Sequence, residues 1–212
     1  MPRPAEPILT RERIATVGLR LVDTNGLDGL STRLVAAEMG VSSAALYYHF
    51  TSKDDILNAV IDKAMRSMHA PDPTLHWTDQ IKAMSFSYRD VLIAHPNLAP
   101  AMVRLTARRF GSRVIVSLAR AMAIDGVPPR LIPTVLSSIE LYVLGAGVTA
   151  QAHYEKPLSA TISELDDFPE VADALLNAQN SEESFVEGLQ ALMTGWQARI
   201  ASLQSERSAE PG

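Results

Sequence analysis

The chain has 212 residues, 47% of them hydrophobic and 20% charged, and it carries a formal net charge of −5. This composition is typical of a globular protein with a sizeable core. The absence of cysteine excludes disulfides, cysteine-based zinc sites and thiol catalysis. Residues 1–15 lack the apolar segment of a signal peptide, and the most apolar stretch, 141–150, is too short to span a membrane. We therefore expect a cytoplasmic protein.

Four short helices are predicted in the first 70 residues, after a proline-containing arm over residues 1–9. Each is preceded by a Ser or Thr whose side chain can accept a hydrogen bond from a free backbone N–H of the first turn. The predicted bounds are Thr10 to Asn25-Gly26, Ser31 or Thr32 to Gly40, Ser42 to about His49, and Ser52 to Met68.

Helical periodicity continues along the rest of the chain, and no segment shows the sustained alternation of a strand. We predict helices near 75–95, 97–108, 111–125, 130–152, 169–179 and 182–204. The predicted fold is all-α. A three-helix DNA-binding domain with its arm occupies 1–52, a larger helical domain for ligand binding and dimerisation occupies 53–204, and a disordered tail occupies 205–212.

Residues 31–53 have the pattern of a helix-turn-helix, with two short helices joined at Gly40-Val41-Ser42. Small residues at the start of the second helix would let its backbone enter a major groove. Residues 1–53 contain six basic and five acidic side chains, a net of +1, whereas the remainder contains 13 basic and 19 acidic, a net of −6. Nucleic-acid contacts are therefore expected in the N-terminal quarter.

This region resembles the TetR family of regulators. The resemblance rests on Leu30–Arg33, on Ala37–Ser42, and on the run Leu46–Phe50 followed by Lys53. It implies phosphate contacts by Tyr47, His49 and Lys53 and contacts from the preceding helix by Thr32 and Arg33. The full set of predicted DNA-contacting residues is Thr32, Arg33, Ser42, Ser43, Ala44, Ala45, Tyr47, His49 and Lys53. Tyr48 and Phe50 are instead assigned to the core beneath the turn.

The C-terminal part resembles the branch of the family that includes the tetracycline repressor. The matching residues are Trp77, Tyr88–Leu92, His95-Pro96, Leu136–Ser138 and Phe185–Leu189. The resemblance implies a homodimer, double-stranded operator DNA and a small-molecule effector. From this resemblance and from the soft or aromatic side chains of the domain, which also suit a core, we predict ligand contacts by His69, Met84, Tyr88, Met102, Leu105, Met122 and Tyr142.

The ligand chemistry is expected to differ from that of the tetracycline repressor. By alignment, Met102 stands where that repressor has a metal-binding histidine, and Met84 stands where it has a drug-contacting asparagine. A magnesium ion requires oxygen ligands, which methionine does not offer. We therefore predict a largely apolar, metal-free ligand and no cofactor.

Two segments are predicted to form the dimer interface, although both also suit an ordinary core. One is 131–152, which is apolar around much of its circumference. The other carries an apolar seam with steps of three and four residues. The seam consists of Phe185, Leu189, Leu192, Trp196, Ile200 and Leu203.

Two other classes of protein are weighed against a regulator. An enzyme is disfavoured because the sequence has no Gly-x-Ser-x-Gly elbow, phosphate-binding glycine loop or HExxH sequence, and its five histidines are scattered. A sequence-independent DNA-packaging protein is disfavoured by the net acidic charge. The resemblance implies a repressor, and an activator stays an alternative.

Overall fold

The computed structural model describes residues 9–102, 112–149, 167–177 and 182–209. Within these ranges the regular structure is entirely helical, which confirms the all-α prediction. The helices are α1 Arg11–Asn25, α2 Thr32–Met39, α3 Ser43–Leu46, α4 Lys53–Met65, α5 Trp77–Ala94, α6 Ser112–Ile124, α7 Ile132–Thr149, α8 Pro169–Asn177 and α9 Glu182–Ala209. The predicted helix over 97–108 is described only to residue 102.

Local capping sets the starts of the first four helices. The side chains of Thr10, Ser31, Ser42 and Ser52 accept hydrogen bonds from the backbone N–H three residues ahead, which would otherwise lack a partner. Helix α2 ends at Gly40, which adopts a left-handed conformation with φ 66° that favours glycine. The capping residues predicted from the sequence are confirmed, with Ser31 as the cap of α2.

Two predicted helix ends in this region are wrong. Helix α3 ends at Leu46 rather than near His49, because the chain turns there and the N–H groups of His49 and Phe50 both donate to the Leu46 carbonyl. This turn carries Phe50 into the core, where it is 1% exposed. Helix α4 ends at Met65, and residues 66–68 continue with tighter turns that bond three residues back.

The N-terminal helices share a core centred on the crossing of α1 and α4. Ile14, Leu46 and Val60 are fully buried there. A Cβ added at Gly18 would lie 2.6 Å from Val60 Cγ2, so glycine permits the close approach of the two helices. The position of the short α3 therefore depends on α4, the helix that leads towards the rest of the protein.

An ion pair closes the turn between α3 and α4. Arg11 donates to the Asp55 carboxylate at 2.8 Å and also to the His49 carbonyl, while the N–H of Thr51 donates to Asp55 at 3.0 Å. These hydrogen bonds, that from Arg11 first, lower the pKa of Asp55 to about 2. Asp55 therefore reaches back to Thr51 and completes the start of α4 in the manner of a capping box.

We expect Asp55→Asn to lower the stability of the protein by about 1–2 kcal/mol at pH 7, after allowance for solvent around the half-exposed Arg11. Because the pKa of Asp55 is lower in the folded protein than the unfolded value of 3.8, its ionised carboxylate stabilises the folded state at pH values above 3.8. This contribution disappears as the pH falls from about 4 towards 2. Thermal unfolding at pH 7 and pH 3 measures the difference. Asp54→Asn, at the exposed neighbouring position, is the control, and an equal effect of both variants would contradict the assignment.

The C-terminal helices pack around α5 and α7. A Cβ at Gly147 would lie 2.4 Å from Leu92 Cδ1, which shows how closely these two helices approach. Helix α9 lies against α7, where Trp196 Nε1 donates to Ser138 Oγ at 2.9 Å. By length and composition alone α7 could cross a membrane, with a mean hydropathy of 1.4, but 39% of that stretch is buried inside the protein. The buried part of its apolar surface belongs to the protein core.

The apolar seam of α9 faces the interior of its own protomer, which corrects its assignment to a dimer interface. Phe185, Leu189, Ile200 and Leu203 are buried, and Leu192 and Trp196 are partly buried against the same core. Helical periodicity predicts that one face of the helix is buried, but it does not distinguish burial in the protomer's own core from burial against a second copy. Helix α9 also continues to Ala209, five residues beyond the predicted end at 204 and into the segment predicted to be disordered.

Candidate DNA-binding surface and ligand pocket

The nine residues predicted to contact DNA lie on α2, on α3 with the turns before and after it, and at the start of α4, and none of them is buried. Exposed members of this set are Arg33, Ser42, Ala44, Tyr47 and Lys53, and half-buried members are Thr32, Ser43, Ala45 and His49. A few apolar residues of these short elements, among them Leu46, pack into the core beneath them. The remaining side chains therefore stay accessible to solvent.

Two of the basic residues predicted to contact DNA, Arg33 and Lys53, are not engaged in ion pairs with described residues. Arg20 pairs with Glu38, Arg11 with Asp55, and both Lys63 and Arg66 pair with Glu12. In contrast, Arg33 and Lys53 have no acidic partner within 4.0 Å among the residues that the structure describes. A cation without an internal counter-ion can neutralise a phosphate at no cost in broken ion pairs.

Tyr48 is not a core residue, which corrects its assignment from the sequence. Its side chain is 90% exposed, whereas Phe50, two residues later, is buried as predicted. The turn after α3 rotates consecutive side chains to different sides, so helical spacing does not apply to this run. Tyr48 is therefore a further aromatic side chain beside Tyr47 on the exposed surface, one that the sequence argument missed.

The first three helices contact the rest of the protein through α4 and through the turn after α5. Asn97 Nδ2 donates to the backbone carbonyls of Val22 and Asp23, both at 3.0 Å. His95 Nδ1 lies 3.0 Å from Asp23 Oδ1. Helix α1 is thus tied at its C-terminal end to the helical domain by polar contacts that depend on distance and direction.

A cavity of about 30 Å³, partly open to solvent, lies between α5, α6 and α7. Two of the predicted ligand residues, Met84 and Tyr88, line it, and Met68 just beyond α4 closes one side. The complete lining among the described residues is Met68, Ile81, Met84, Ser85, Tyr88, Val114, Ile115, Leu118, Leu136, Ile139, Glu140 and Val143. Apolar side chains dominate this wall, as in sites for small organic ligands.

The other predicted ligand residues are not among those that line this cavity. Met122 is fully buried and Met102 is 6% exposed in the core. The Tyr142 hydroxyl donates to the Phe185 carbonyl at 2.9 Å, and its ring faces a separate surface groove beside Arg89. His69 is exposed, and its backbone N–H donates to Ser87 Oγ at 3.0 Å. Leu105 lies outside the described residues.

Glu140 is the feature of the cavity that the sequence argument did not assign. One carboxylate oxygen, Oε1, is buried and has no hydrogen-bond partner among the described residues. Burial raises the pKa of Glu140 to about 7, and burial together with this neighbouring carboxyl raises the pKa of Tyr88. An acidic residue within the apolar run Ile139–Leu144 was a signal that could have drawn attention to it.

We expect Glu140→Gln to stabilise the protein at pH 8 but not at pH 5. A raised folded-state pKa means that stability falls as the pH rises from about 4.5 to about 7, because the unfolded chain ionises first. The gain at pH 8 should be about 1–3 kcal/mol, allowing for solvent at the cavity mouth. Thermal unfolding at both pH values and one protein concentration measures it. An equal shift at pH 5 and pH 8 would contradict a raised pKa.

Comparison with known proteins agrees with this architecture. Residues 14–60 match the family of bacterial regulatory proteins called tetR, and residues 70–200 match the tetracyclin repressor-like C-terminal domain. The class E tetracycline repressor of Escherichia coli is 25% identical over 198 residues, covering 91% of this chain and 92% of the repressor.

Two solved structures extend the similarity. A TetR-type transcriptional regulator from Streptomyces coelicolor is 28% identical with a TM-score of 0.73, covering 90% of this chain and 98% of its own. The regulator BioQ, known from Mycobacterium smegmatis, was solved with its double-stranded DNA operator. It is 25% identical with a TM-score of 0.67, covering 90% of this chain and 99% of its own.

An exposed helix-turn-helix carried on a helical domain with an apolar cavity defines a class of DNA-binding transcriptional regulators. Because the two family matches together span most of the chain, it belongs to the TetR family. The predicted family and fold are therefore confirmed.

Proposed function

We propose that the protein is a homodimeric repressor that binds a palindromic operator and releases it when a small, largely apolar ligand occupies the cavity between α5, α6 and α7. The observation that carries this proposal is the physical connection between an exposed helix-turn-helix and that cavity. Helix α4 begins at Lys53, beside the predicted DNA surface, and Met68 just beyond its end lines the cavity.

DNA recognition is assigned to the nine predicted residues on α2, α3 and the start of α4. Ala44 and Ala45 offer only methyl contacts, so base-specific hydrogen bonds fall mainly to Arg33 and Ser43. The Ser42 hydroxyl already accepts from Ala45 N–H at 3.3 Å, but it can still donate a hydrogen bond to DNA. With few base contacts, DNA shape contributes a large share of the specificity.

The dimer interface is assigned to the exposed faces of α7 and α9, outside the seam that is buried in the protomer. On α7, Leu141 is 66% exposed and Val148 is 40% exposed, with Gly145 between them. On α9, Val186 is 39% exposed. Exposed apolar residues with an intervening glycine suit close packing against a second copy, and two copies place two recognition helices on successive major grooves.

Release is a shift between two conformations. A ligand that fills the cavity contacts Met68 and thereby favours one tilt of α4, while the Asn97 and His95 contacts hold the end of α1. Changing the tilt changes the separation of the two recognition helices in the dimer. The ligand lowers DNA affinity only by its difference in affinity for the two conformations.

Selection from a random-sequence duplex library tests the proposal. The expected result is enrichment of an inverted repeat whose half-sites lie about one helical turn, or 34–36 Å, apart. Enrichment without two-fold symmetry would contradict the dimeric arrangement. Equal recovery of all sequences with steep salt dependence would instead indicate sequence-independent DNA binding.

Tetracycline with magnesium is expected to leave the thermal unfolding temperature unchanged. Met84 and Met102 offer no hard oxygen ligand at the positions that correspond to drug and metal contacts in the tetracycline repressor. A titration with tetracycline, with and without magnesium, measures this by thermal shift. Magnesium-dependent stabilisation would contradict the assignment of an apolar, metal-free ligand.

A further inference from the structure

Glu140 gives the apolar cavity a chemical preference that the proposed function leaves unspecified. It is the one charged side chain among the described residues that line the cavity. A carboxyl in such a wall is costly to bury unless it has a partner, yet Oε1 has none among those residues. Among the described residues, the cavity therefore contains an acceptor without a donor.

The neighbouring polar groups do not neutralise this carboxyl. Two hydroxyl-bearing residues of α5 line the cavity, Tyr88 and Ser85, and the Ser85 hydroxyl donates its hydrogen bond to the Ile81 carbonyl at 2.8 Å. Arg89, one residue after Tyr88, lies with its guanidinium 5.0 Å from the Phe185 ring and borders the separate surface groove. No basic side chain of the described lining faces Glu140.

From this arrangement we propose that the effector carries a basic nitrogen on an apolar ring system, and that its protonated amine donates to Glu140 inside the cavity. This inference rests on the proposed function and adds the class of ligand to it. An ammonium group supplies both the missing hydrogen-bond donor and the missing counter-charge. An anionic ligand is disfavoured because it would place a second negative charge beside the carboxylate.

The remaining wall suits the apolar part of such a ligand. Met68 and Met84 are unbranched and polarisable side chains that adapt to flat rings, and sulfur–aromatic contacts are favourable. Ile139 and Val143 lie one residue before and three after Glu140 on α7, so apolar contact flanks the carboxyl along the helix. The site thus combines one charged anchor with an adaptable apolar wall.

Three probes with one ring system and different charge test the proposal: 2-naphthylmethylamine, 2-naphthylmethanol and 2-naphthoate. Affinities are measured by calorimetry at pH 8, where the amine is largely protonated and Glu140 is largely ionised, since its pKa is about 7. For the unaltered protein we expect the amine to bind about tenfold more tightly than the alcohol, and the carboxylate to bind least.

Variants test whether the preference for the amine over the alcohol arises from the Glu140 carboxyl. In Glu140→Gln the ratio of amine to alcohol affinity should fall to about one, while alcohol affinity stays the same. Glu140→Asp should retain part of the preference, and Glu183→Gln, an exposed acid on α9, should retain all of it. Equal binding of amine and alcohol by the unaltered protein, no binding of any probe, or an unchanged ratio in Glu140→Gln would each overturn the inference.

Operator binding separates this inference from the proposed function. The selected duplex is bound first, and each probe is then added to the complex while fluorescence anisotropy is followed. Release by the amine, and weaker release by the alcohol, is expected. Tight operator binding with no amine preference overturns the ligand class alone, whereas failure of the unaltered protein to prefer any duplex overturns the proposed function.

Discussion

Replacing Leu141 by arginine is expected to convert the dimer into monomers and to lower operator affinity at least about 100-fold. The leucine is 66% exposed on α7, so arginine is tolerated in the isolated protomer but places a charge in the assigned apolar interface. A monomer binds only one half-site and loses the high effective concentration of the second recognition helix. Sedimentation and operator titration measure the two effects.

The matched control is Ile124→Arg at the end of α6. Ile124 is 74% exposed, so the same charge is introduced at an apolar surface position outside the assigned interface. We expect this variant to remain dimeric and to bind operator as before. A dimeric Leu141→Arg protein with full operator affinity would show that the outer face of α7 is not the interface.

The second large effect is expected from Lys53→Met, which should weaken operator binding about 10- to 100-fold. Lys53 is exposed, and its loss from both protomers removes two phosphate contacts. The slope of log affinity against log salt should become shallower by about two. Lys53 is the first residue of α4, where a positive charge opposes the helix dipole, so its removal does not destabilise the helix.

Lys82→Met on α5 is the control, because it makes the same change of side chain and charge away from the predicted DNA surface. Its salt dependence should equal that of the unaltered protein. If both variants reduced the slope equally, the effect would reflect net charge rather than a phosphate contact at Lys53. Unfolding temperatures measured in parallel show whether the loss of affinity arises from the DNA surface alone.

The features that could be predicted from the sequence are those decided by short-range chemistry. The caps at Thr10, Ser31, Ser42 and Ser52 depend on a side chain and an N–H three residues apart, so their residue types in sequence sufficed. The left-handed end of α2 at Gly40 is equally local. Together with the TetR resemblance, these features also placed the helix-turn-helix correctly.

Features decided by tertiary packing could not be predicted in the same way. The short α3 follows from the need to bring Phe50 into the core, and the same turn leaves Tyr48 exposed. The seam through Leu189 and Ile200 was correctly identified as buried, but periodicity cannot distinguish the protomer's own core from a partner. The acid within the apolar run Ile139–Leu144 is visible in the sequence, but only the fold places its carboxyl in a cavity without a hydrogen-bond partner among the described residues.

Operator binding is tested by fluorescence anisotropy of the purified protein on the DNA upstream of its own gene, at fixed physiological salt with a scrambled competitor. We expect tight binding that resists the competitor, one dimer or more per site, and release on adding an apolar amine. Equal and weak binding to both DNAs, followed by failure of random-sequence selection to enrich any site, would contradict the assignment of an operator-binding regulator.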